Sequence, residues 1–175
     1  MLKNALLYKD QIDKKLLECW YDPKYQYYFS SSHYLPRWND NDADWIALAS
    51  VKGDDVLGYF TWAVDHDTMS AKNFGVINFS DDQLTFGVDL YHVLKQIFFI
   101  CGYKRLEFGA IQGNPHITQY THLVDKFGGE CVGHTHESIR TFDGRIHDEF
   151  VFEIMADDFV SYYFGGYNER RQKFG

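Results

Sequence analysis

Residues 73–80, Asn-Phe-Gly-Val-Ile-Asn-Phe-Ser, open the stretch that decides the fold, because their β-branched and aromatic side chains predict a strand. A long amphipathic helix is predicted to follow from about Leu84, since apolar side chains recur there at spacings of three and four residues. The face expected to pack on the sheet consists of Leu84, Val88, Tyr91, Leu94 and Phe98. The face expected to meet water consists of Asp89, His92, Lys95 and Gln96.

The same stretch continues with a second strand and a second helix. Gly102 is predicted to end the first helix, at a position that needs a left-handed residue. The strand Arg105–Ile111 follows. Because a helix crosses over between the two strands, we expect them to be parallel neighbours. A second helix is predicted from Asn114 to about Phe127, where two glycines break the chain.

Two hairpins flank this central unit. Residues 45–51 and 56–62 are predicted to pair about Gly53-Asp54, and residues 131–142 and 145–154 about Asp143-Gly144, a strong hairpin signal. Together with the central unit they predict an α+β fold with a mixed, mostly antiparallel sheet flanked by helices.

The first residues predict an edge strand and a helix. The short apolar run Ala5–Tyr8 favours the strand, and Asp10 is predicted to cap the helix, on which Ile12, Leu16 and Trp20 align at helical spacing. Pro23 interrupts that helix.

The length and composition limit the class of protein. A chain of 175 residues, 45% hydrophobic and 24% charged, fits one folded domain over residues 1–175, with residues 156–175 forming a short helix and a tail. The net charge of −8 argues against nucleic acid as a partner and favours a cationic or neutral one. Neither a membrane-spanning run nor a signal peptide is visible, and three distant cysteines favour reduced thiols, so a cytoplasmic location is expected.

An aromatic segment follows the first helix and has two interpretations. It contains Trp20, Tyr21, Tyr25, Tyr27, Tyr28, Phe29, Tyr34 and Trp38. Such rings commonly cover a sheet. They also form pocket walls for a flat or cationic substrate, because ring faces attract an ammonium group. On the second interpretation Tyr28, Tyr34 and Trp38 are the substrate-binding candidates.

The order of these elements resembles the GNAT superfamily of N-acetyltransferases, especially the branch acting on protein N-termini and small amines. The resemblance covers nearly the whole chain. It is carried by the central strand–helix–strand unit and by shorter matches: Leu57-Gly58-Tyr59, Asn114, Phe127-Gly128-Gly129, and the final hairpin with Gly133, Arg140, Asp143-Gly144 and residues 147–154.

The resemblance implies acetyl-CoA as co-substrate. In the family the acyl–pantetheine arm lies in a gap between two splayed parallel strands, which here implicates Ile77 and Asn78. The side chain of Asn114, at the second helix, can either cap that helix or meet the pantetheine amide. The pyrophosphate lies on a loop of pattern Q/R-x-x-G-x-G/A at the start of the long helix. The aligned residues are Gln83, Phe86, Gly87 and Val88, where Phe86 and Val88 replace small residues.

Two aspartates directly before this helix leave an alternative function open. Asp81 and Asp82 complement the helix dipole by themselves and would repel a pyrophosphate. The leading hypothesis is transfer of an acetyl group to a primary amine by direct attack, on a small molecule or a peptide N-terminus. The alternative is a GNAT-like binding or assembly module with weakened or lost CoA binding. Pairing into a homodimer stays open.

The catalytic candidates are Tyr120 and His66. The family's general acid is often a tyrosine seven residues after the asparagine; Thr121 holds that place here and Tyr120 precedes it, so Tyr120 reads either as the acid or as a core residue. No carboxylate lies on residues 73–80, which leaves His66 with its neighbours Asp65 and Asp67, or Glu107, as candidate bases. A solvated loop histidine is the competing interpretation of His66.

A histidine cluster in the last hairpin makes a metal site geometrically possible. His134 and His136 share one face of a strand, and the partner strand carries His147 and Asp148. Because the spacing matches no recognised ligand pattern, no metal is expected.

Overall fold

The computed structural model describes residues 1–20, 22–28 and 44–165, and these form one seven-stranded sheet with helices on both faces. The strands are β1 (Leu2–Asn4), β2 (Trp45–Lys52), β3 (Asp55–Asp65), β4 (Ser70–Asn78), β5 (Arg105–Ile111), β6 (Glu130–Arg140) and β7 (Ile146–Met155). The helices are α1 (Lys9–Cys19), α2 (Gln83–Lys95), α3 (Ile117–Lys126) and α4 (Ala156–Tyr163). The predicted α+β class, both hairpins and the bounds of β5 are confirmed.

The strand order is β1-β2-β3-β4-β5-β7-β6, and the described strands pair antiparallel everywhere except between β4 and β5. That parallel pair holds only at Ser70–Arg105 and Ala71–Leu106. Beyond these residues β4 stays paired with β3 and β5 stays paired with β7. The two central strands therefore diverge, as predicted.

A bulge in β4 lies where the strands part. The register with β3 shifts between Thr61 and Ala63, opposite a stretch of β4 in which Asn73 has φ 53°. A left-handed residue bends a strand and increases its local twist, and asparagine tolerates this conformation better than most residues. The bulge therefore turns β4 away from β5 two residues after their shared register ends at Ala71.

Two apolar cores lie on the opposite faces of the sheet. The larger one, under α2, α3 and α4, includes Phe60, Trp62, Val93, Phe108, Phe127, Phe152 and Phe159. The smaller one, under α1, includes Ile12, Leu16, Ala49, Tyr59 and Ile77.

The prediction for the buried face of α2 is confirmed for Tyr91, Leu94 and Phe98, which lie in or against the larger core, and is wrong for Leu84 and Val88. Leu84 and Val88 are 80% and 48% exposed, whereas Phe86 and Val93 are buried. The packed stripe passes through Phe86, Leu90, Val93, Leu94 and Ile97. These side chains also recur at spacings of three and four residues, so periodicity alone allowed both stripes.

Asp89 was expected to face water and is instead buried, with its side chain 4% exposed. Its Oδ2 accepts hydrogen bonds from the Ser50 hydroxyl at 2.6 Å and from the Met1 amino group at 2.8 Å. A buried carboxylate needs such partners, because desolvating an unpaired charge is costly. This polar contact ties α2 to β2 and to the first residue.

The structure corrects the first elements. Ala5–Tyr8 is a 3-10 turn and not a strand, because Asn4 caps it by accepting from the Leu6 amide at 2.9 Å. Asp10 lies in the first turn of α1 and does not cap it, since the capping position is Tyr8. Gly102, with φ 69°, ends the turn that follows α2, as predicted.

Among the described residues, no helix has the length and the apolar character that crossing a membrane requires.

The bulge gives a stability prediction. Asn73→Val should lower the free energy of unfolding by about 1–2 kcal/mol, because a β-branched side chain resists the left-handed conformation. Asn73 is exposed, so the change removes no core packing. The measurement is the urea midpoint of each protein.

Asn73→Gly is the matched control, and its midpoint should stay near that of the parent because glycine adopts positive φ freely. Equal midpoints for the valine and glycine variants would contradict a requirement for left-handed backbone at the bulge.

Candidate active site

The divergence of β4 and β5 creates a gap in the middle of the sheet, which we call the slot. It lies between residues 72–78 of β4 and residues 107–111 of β5, and its open end, the mouth, is at Asn78 and Ile111. Strand edges that face such a gap offer backbone N–H and C=O groups to a ligand.

Three tyrosines and an asparagine form a polar bridge at the mouth. Tyr25 donates a hydrogen bond from its hydroxyl to the Asn78 carbonyl oxygen at 3.2 Å, and its ring lies 5.7 Å from that of Tyr28. Tyr28 donates to the hydroxyl of Tyr120, which also accepts from the Asn114 side chain. The bridge therefore runs from the end of β4 to the start of α3.

The bridge also joins the two faces of the sheet. Tyr28 packs with the core under α1, whereas Tyr120 packs with the core under α3, where its ring lies 5.9 Å from that of Phe108. Contact between the two hydroxyl groups requires an opening in the sheet, and the slot is that opening.

Tyr120 has the protonation state that a proton donor needs. Burial raises its pKa above the ordinary value, while the hydrogen bonds from Asn114 and Tyr28 act in the opposite direction. The phenol is therefore neutral at physiological pH, and its neighbours offset part of the cost of losing the proton. Thr121 holds the position at which the family often has its general acid. Its hydroxyl donates to the Ile117 carbonyl oxygen at 3.0 Å within α3.

Asn114 and Asn78 both have polar groups at the mouth. Asn114 is buried, and its Oδ1 accepts a hydrogen bond from the His116 amide at 2.9 Å. Its side-chain amide group donates to the Tyr120 hydroxyl. Asn78 accepts from Ser80 through Oδ1, but its buried Nδ2 has no hydrogen-bond partner among the described residues. A buried donor without a partner is rare, and a ligand carbonyl in the slot would satisfy it.

The start of α2 already holds a carboxylate of its own. Asp82 accepts from the Thr85 amide at 3.0 Å and from the Thr85 hydroxyl at 2.9 Å. Lys52 donates to the same carboxylate at 2.7 Å, and this bond, followed by those from Thr85, lowers the pKa of Asp82 to about 2. An ionised carboxylate therefore occupies the place where the resemblance puts a pyrophosphate.

Phe86 stands where the family pattern has a small residue. Its side chain does not crowd the loop but lies in the core, stacked on Phe60 with ring centroids 4.9 Å apart. Gly58 makes room for it, because a Cβ there would meet the Phe86 ring at 2.1 Å. Only the backbone of Phe86 is therefore available to a cofactor. Gln83, Gly87 and Val88 are exposed at the start of α2, and Ile77 packs its side chain against α1.

An acidic surface borders the slot on the α1 face. Residues opposite each other in neighbouring strands share a face, and the pairs Glu107–Glu153 and Ile111–Glu149 put three carboxylates on the side away from Phe108. Arg105 lies 3.7 Å from Glu107 and 3.8 Å from Glu153. We call Glu107, Glu149 and Glu153 the acidic face.

Glu149 is the member of the acidic face best suited to accept a proton. Burial raises its pKa above the ordinary value, an effect that a hydrogen bond from Ser138 reduces. Its carboxylate lies directly over Gly109 of β5, where a Cβ would come within 1.9 Å of Oε1. Sequence reasoning missed Glu149. The available signal was Gly109 itself, since a glycine inside a strand marks a close approach of another group.

His66 lies far from this arrangement along the strands. It follows the end of β3 that pairs with Ser70, where β4 and β5 are still joined, and it contacts Asp44 at 2.8 Å. Because the mouth is at the opposite end of β4, the structure does not bring His66 to the slot. Tyr34 and Trp38 lie outside the described residues. Among the predicted substrate-binding residues, Tyr28 is the one that the structure describes at the mouth.

Comparisons with known proteins identify the fold. No protein-family model and no curated protein matches the chain. The structure of a spermidine N-acetyltransferase from Vibrio cholerae in complex with CoA and spermine is similar, with a TM-score of 0.67 and 15% identity, covering 91% of this chain and 97% of that one. The chain has the fold of the GNAT N-acetyltransferases.

Two further structures have the GNAT fold in common with this chain. One, described as an acetyltransferase, has a TM-score of 0.67 and 15% identity, covering 99% of this chain and 93% of that one. The other is a spermidine N-acetyltransferase chimera from Vibrio cholerae and hSSAT, with a TM-score of 0.58 and 19% identity, covering 69% of this chain and 73% of that one. The GNAT resemblance read from the sequence is thereby confirmed for the fold.

The contact between Gly58 and Phe86 gives a second stability prediction. Gly58→Ala should cost about 1–3 kcal/mol of unfolding free energy, because the new methyl group would overlap a packed ring and a backbone oxygen. The backbone oxygen is that of Ile77, 2.6 Å from the added Cβ. The measurement is again the urea midpoint.

Gly87→Ala is the control, since a Cβ at Gly87 meets nothing within 4 Å and α2 should gain from the higher helix propensity of alanine. A midpoint for Gly58→Ala equal to that of the parent would contradict the packing described for Phe86.

Proposed function

We propose that this protein transfers an acetyl group from acetyl-CoA to a primary amine of a small cationic molecule. The observation that carries the proposal is the slot, with the bridge of Tyr28, Tyr120 and Asn114 at its mouth. An extended thioester arm fits between two strand edges, which offer it backbone hydrogen bonds. The mouth then brings the thioester to a neutral phenol on one side and to the acidic face on the other.

Glu149 acts as the base in this proposal. Its raised pKa lets it take a proton from the substrate ammonium group at neutral pH. The freed amine nitrogen bonds to the thioester carbonyl carbon while the carbon–sulfur bond breaks. No covalent bond to the enzyme forms.

Tyr120 acts as the acid and gives its hydroxyl proton to the leaving sulfur, and the second proton that the nitrogen loses after bonding to the acyl carbon restores the hydroxyl. The hydrogen bonds from Tyr28 and Asn114 stabilise the phenolate that this transfer leaves behind. Tyr28 thus acts through Tyr120 as a positioning residue. The amide nitrogen of Asn78 supplies a donor for the thioester arm.

The choice of a cationic substrate rests on charge. The acidic face carries three carboxylates, two of which lie close to the Arg105 guanidinium, and the chain as a whole has a net charge of −8. Such a surface attracts a polycation and repels an acid. The similar protein from Vibrio cholerae binds spermine and CoA, which makes an aliphatic polyamine the first substrate to test.

Asp82 sets the affinity for CoA in this proposal, because its carboxylate competes with the pyrophosphate for the start of α2. Asp82→Ser removes the charge and keeps a side chain that caps helices well. Lys52, freed from its ion pair, then attracts phosphate. We expect acetyl-CoA to raise the melting temperature of the parent protein and Asp82→Ser to bind it more tightly in the same thermal-shift titration.

Asp81→Ser is the matched control, since Asp81 is exposed and its side chain does not cap α2. Its CoA affinity should rise less than that of Asp82→Ser. If millimolar acetyl-CoA gives no shift with the parent or with Asp82→Ser, the chain is a binding module of GNAT fold and the transferase proposal fails.

The roles of Glu149 and Tyr120 predict different pH profiles. A base with a raised pKa is lost as the pH falls through that pKa, so kcat/KM of the parent should drop on the acid side. Glu149→Gln should lower kcat/KM by about 10²-fold or more and remove that acid limb. Tyr120→Phe should lower kcat by a similar factor and keep the limb. The measurement is thiol release with spermidine as acceptor.

Gly109→Ala gives an independent check on Glu149, because the added methyl group would push its carboxylate aside while leaving the charge in the protein. It should reproduce the loss seen in Glu149→Gln. An acid limb that persists in Glu149→Gln would assign the base to another group.

A further inference from the structure

A cluster of two imidazoles and a carboxylate lies in the last hairpin, on residues that the proposed reaction does not use. Asp148 Oδ2 is 3.0 Å from His134 Nε2 and 3.1 Å from His136 Nδ1. The three ligand atoms all lie within 4.8 Å of one another. His134 and His136 belong to the edge strand β6, and Asp148 belongs to its neighbour β7.

The two distances to Asp148 are close to the separation of neighbouring ligand atoms in a metal coordination shell. Zinc binds imidazole nitrogen and carboxylate oxygen at about 2.0–2.2 Å, so the ligand atoms of a tetrahedral site lie roughly 3.3–3.5 Å apart. The two distances to Asp148 fall only a few tenths of an ångström short of this separation. The two histidine side chains, both exposed, have room to make the adjustment.

His134 and His136 share a face of β6 by strand alternation, and a bulge begins directly beside them. The register between β6 and β7 shifts between Thr135 and Ile139, and Glu137 within this stretch has φ 49°. The two histidine rings lie with their centroids 4.6 Å apart. The sequence-based argument against a metal relied on ligand spacing, and that spacing does not reveal a bulge.

Surrounding groups orient the ligands as they do in known metal sites. The Glu137 amide donates to Asp148 Oδ1 at 2.9 Å, which fixes the carboxylate and turns Oδ2 toward the imidazoles. The His134 ring is stacked on Phe150 with centroids 4.8 Å apart, which restricts its rotation. Such outer contacts hold first-shell ligands in their binding geometry.

We propose that His134, His136 and Asp148 bind one divalent first-row transition-metal ion, with Zn²⁺ as the first candidate. Two imidazoles and one carboxylate match the ligand preference of zinc, and water completes the shell on the exposed side. The ion fastens the bulge of the edge strand to β7. Asp148 precedes Glu149 but faces the other side of the sheet, so the ion has a structural and not a catalytic role.

The test uses the full-length protein without a histidine tag, treated with a chelator and titrated with Zn²⁺ by calorimetry. We expect one equivalent to bind and the melting temperature to rise. Both effects should be lost in Asp148→Asn, which preserves the shape of the side chain, and in His136→Gln, whose side chain is 78% exposed. Circular dichroism verifies that each variant is folded.

His122→Gln is the matched control, because His122 is an exposed histidine on α3 outside the cluster. It should bind Zn²⁺ like the parent. Absence of saturable Zn²⁺ binding by the parent, or equal binding by the parent and His136→Gln, would overturn the proposal. The outcome is independent of the acetyl-transfer experiments, since the readout is metal binding and stability alone.

Discussion

The incomplete pairing of two parallel strands is the constraint on which the other features of this structure depend. β4 and β5 share a register at only two positions, and beyond them each strand is held by an antiparallel neighbour on its outer side. The open edges are therefore supported without being paired to each other. A sheet that closed here would bury the backbone groups of both strands in a ladder and leave no space for an extended ligand.

The tyrosine phenols at the mouth of the slot are uncharged, whereas the acidic face of the sheet carries three carboxylates. The phenols of Tyr25, Tyr28 and Tyr120 stay protonated because burial raises their pKa values, that of Tyr25 to about 12. The acidic face lies beside them on the α1 side. In the proposed function, the carboxylates attract the cationic amine to the mouth and the Tyr120 phenol is the proton donor for the acyl transfer.

The start of α2 shows how an internal ion pair can take the place of a ligand. Asp82 caps the helix and Lys52 neutralises the cap, so the helix dipole is already compensated in the protein alone. The unusual feature of this loop is hence its charge and not the size of Phe86, whose ring lies in the core. An anionic cofactor must compete with a carboxylate that is covalently part of the chain.

Local patterns in the sequence determined the strands β2 to β7, the hairpin turns and most helix boundaries. Asp143-Gly144, Gly102 and the run Arg105–Ile111 each specify backbone geometry through neighbouring residues, so they could be predicted one at a time. The GNAT resemblance added the splayed pair of parallel strands and the candidate site residues Asn114 and Tyr120.

Only the tertiary structure decided which residues meet across elements. The buried stripe of α2, the position of Glu149 over Gly109 and the convergence of His134, His136 and Asp148 all depend on strand register and on bulges. A one-residue change in register moves a side chain to the other face of a sheet, and packing between distant segments sets that register. Composition and periodicity do not determine that register. The contacts between distant residues at the slot therefore became visible only in the folded protein.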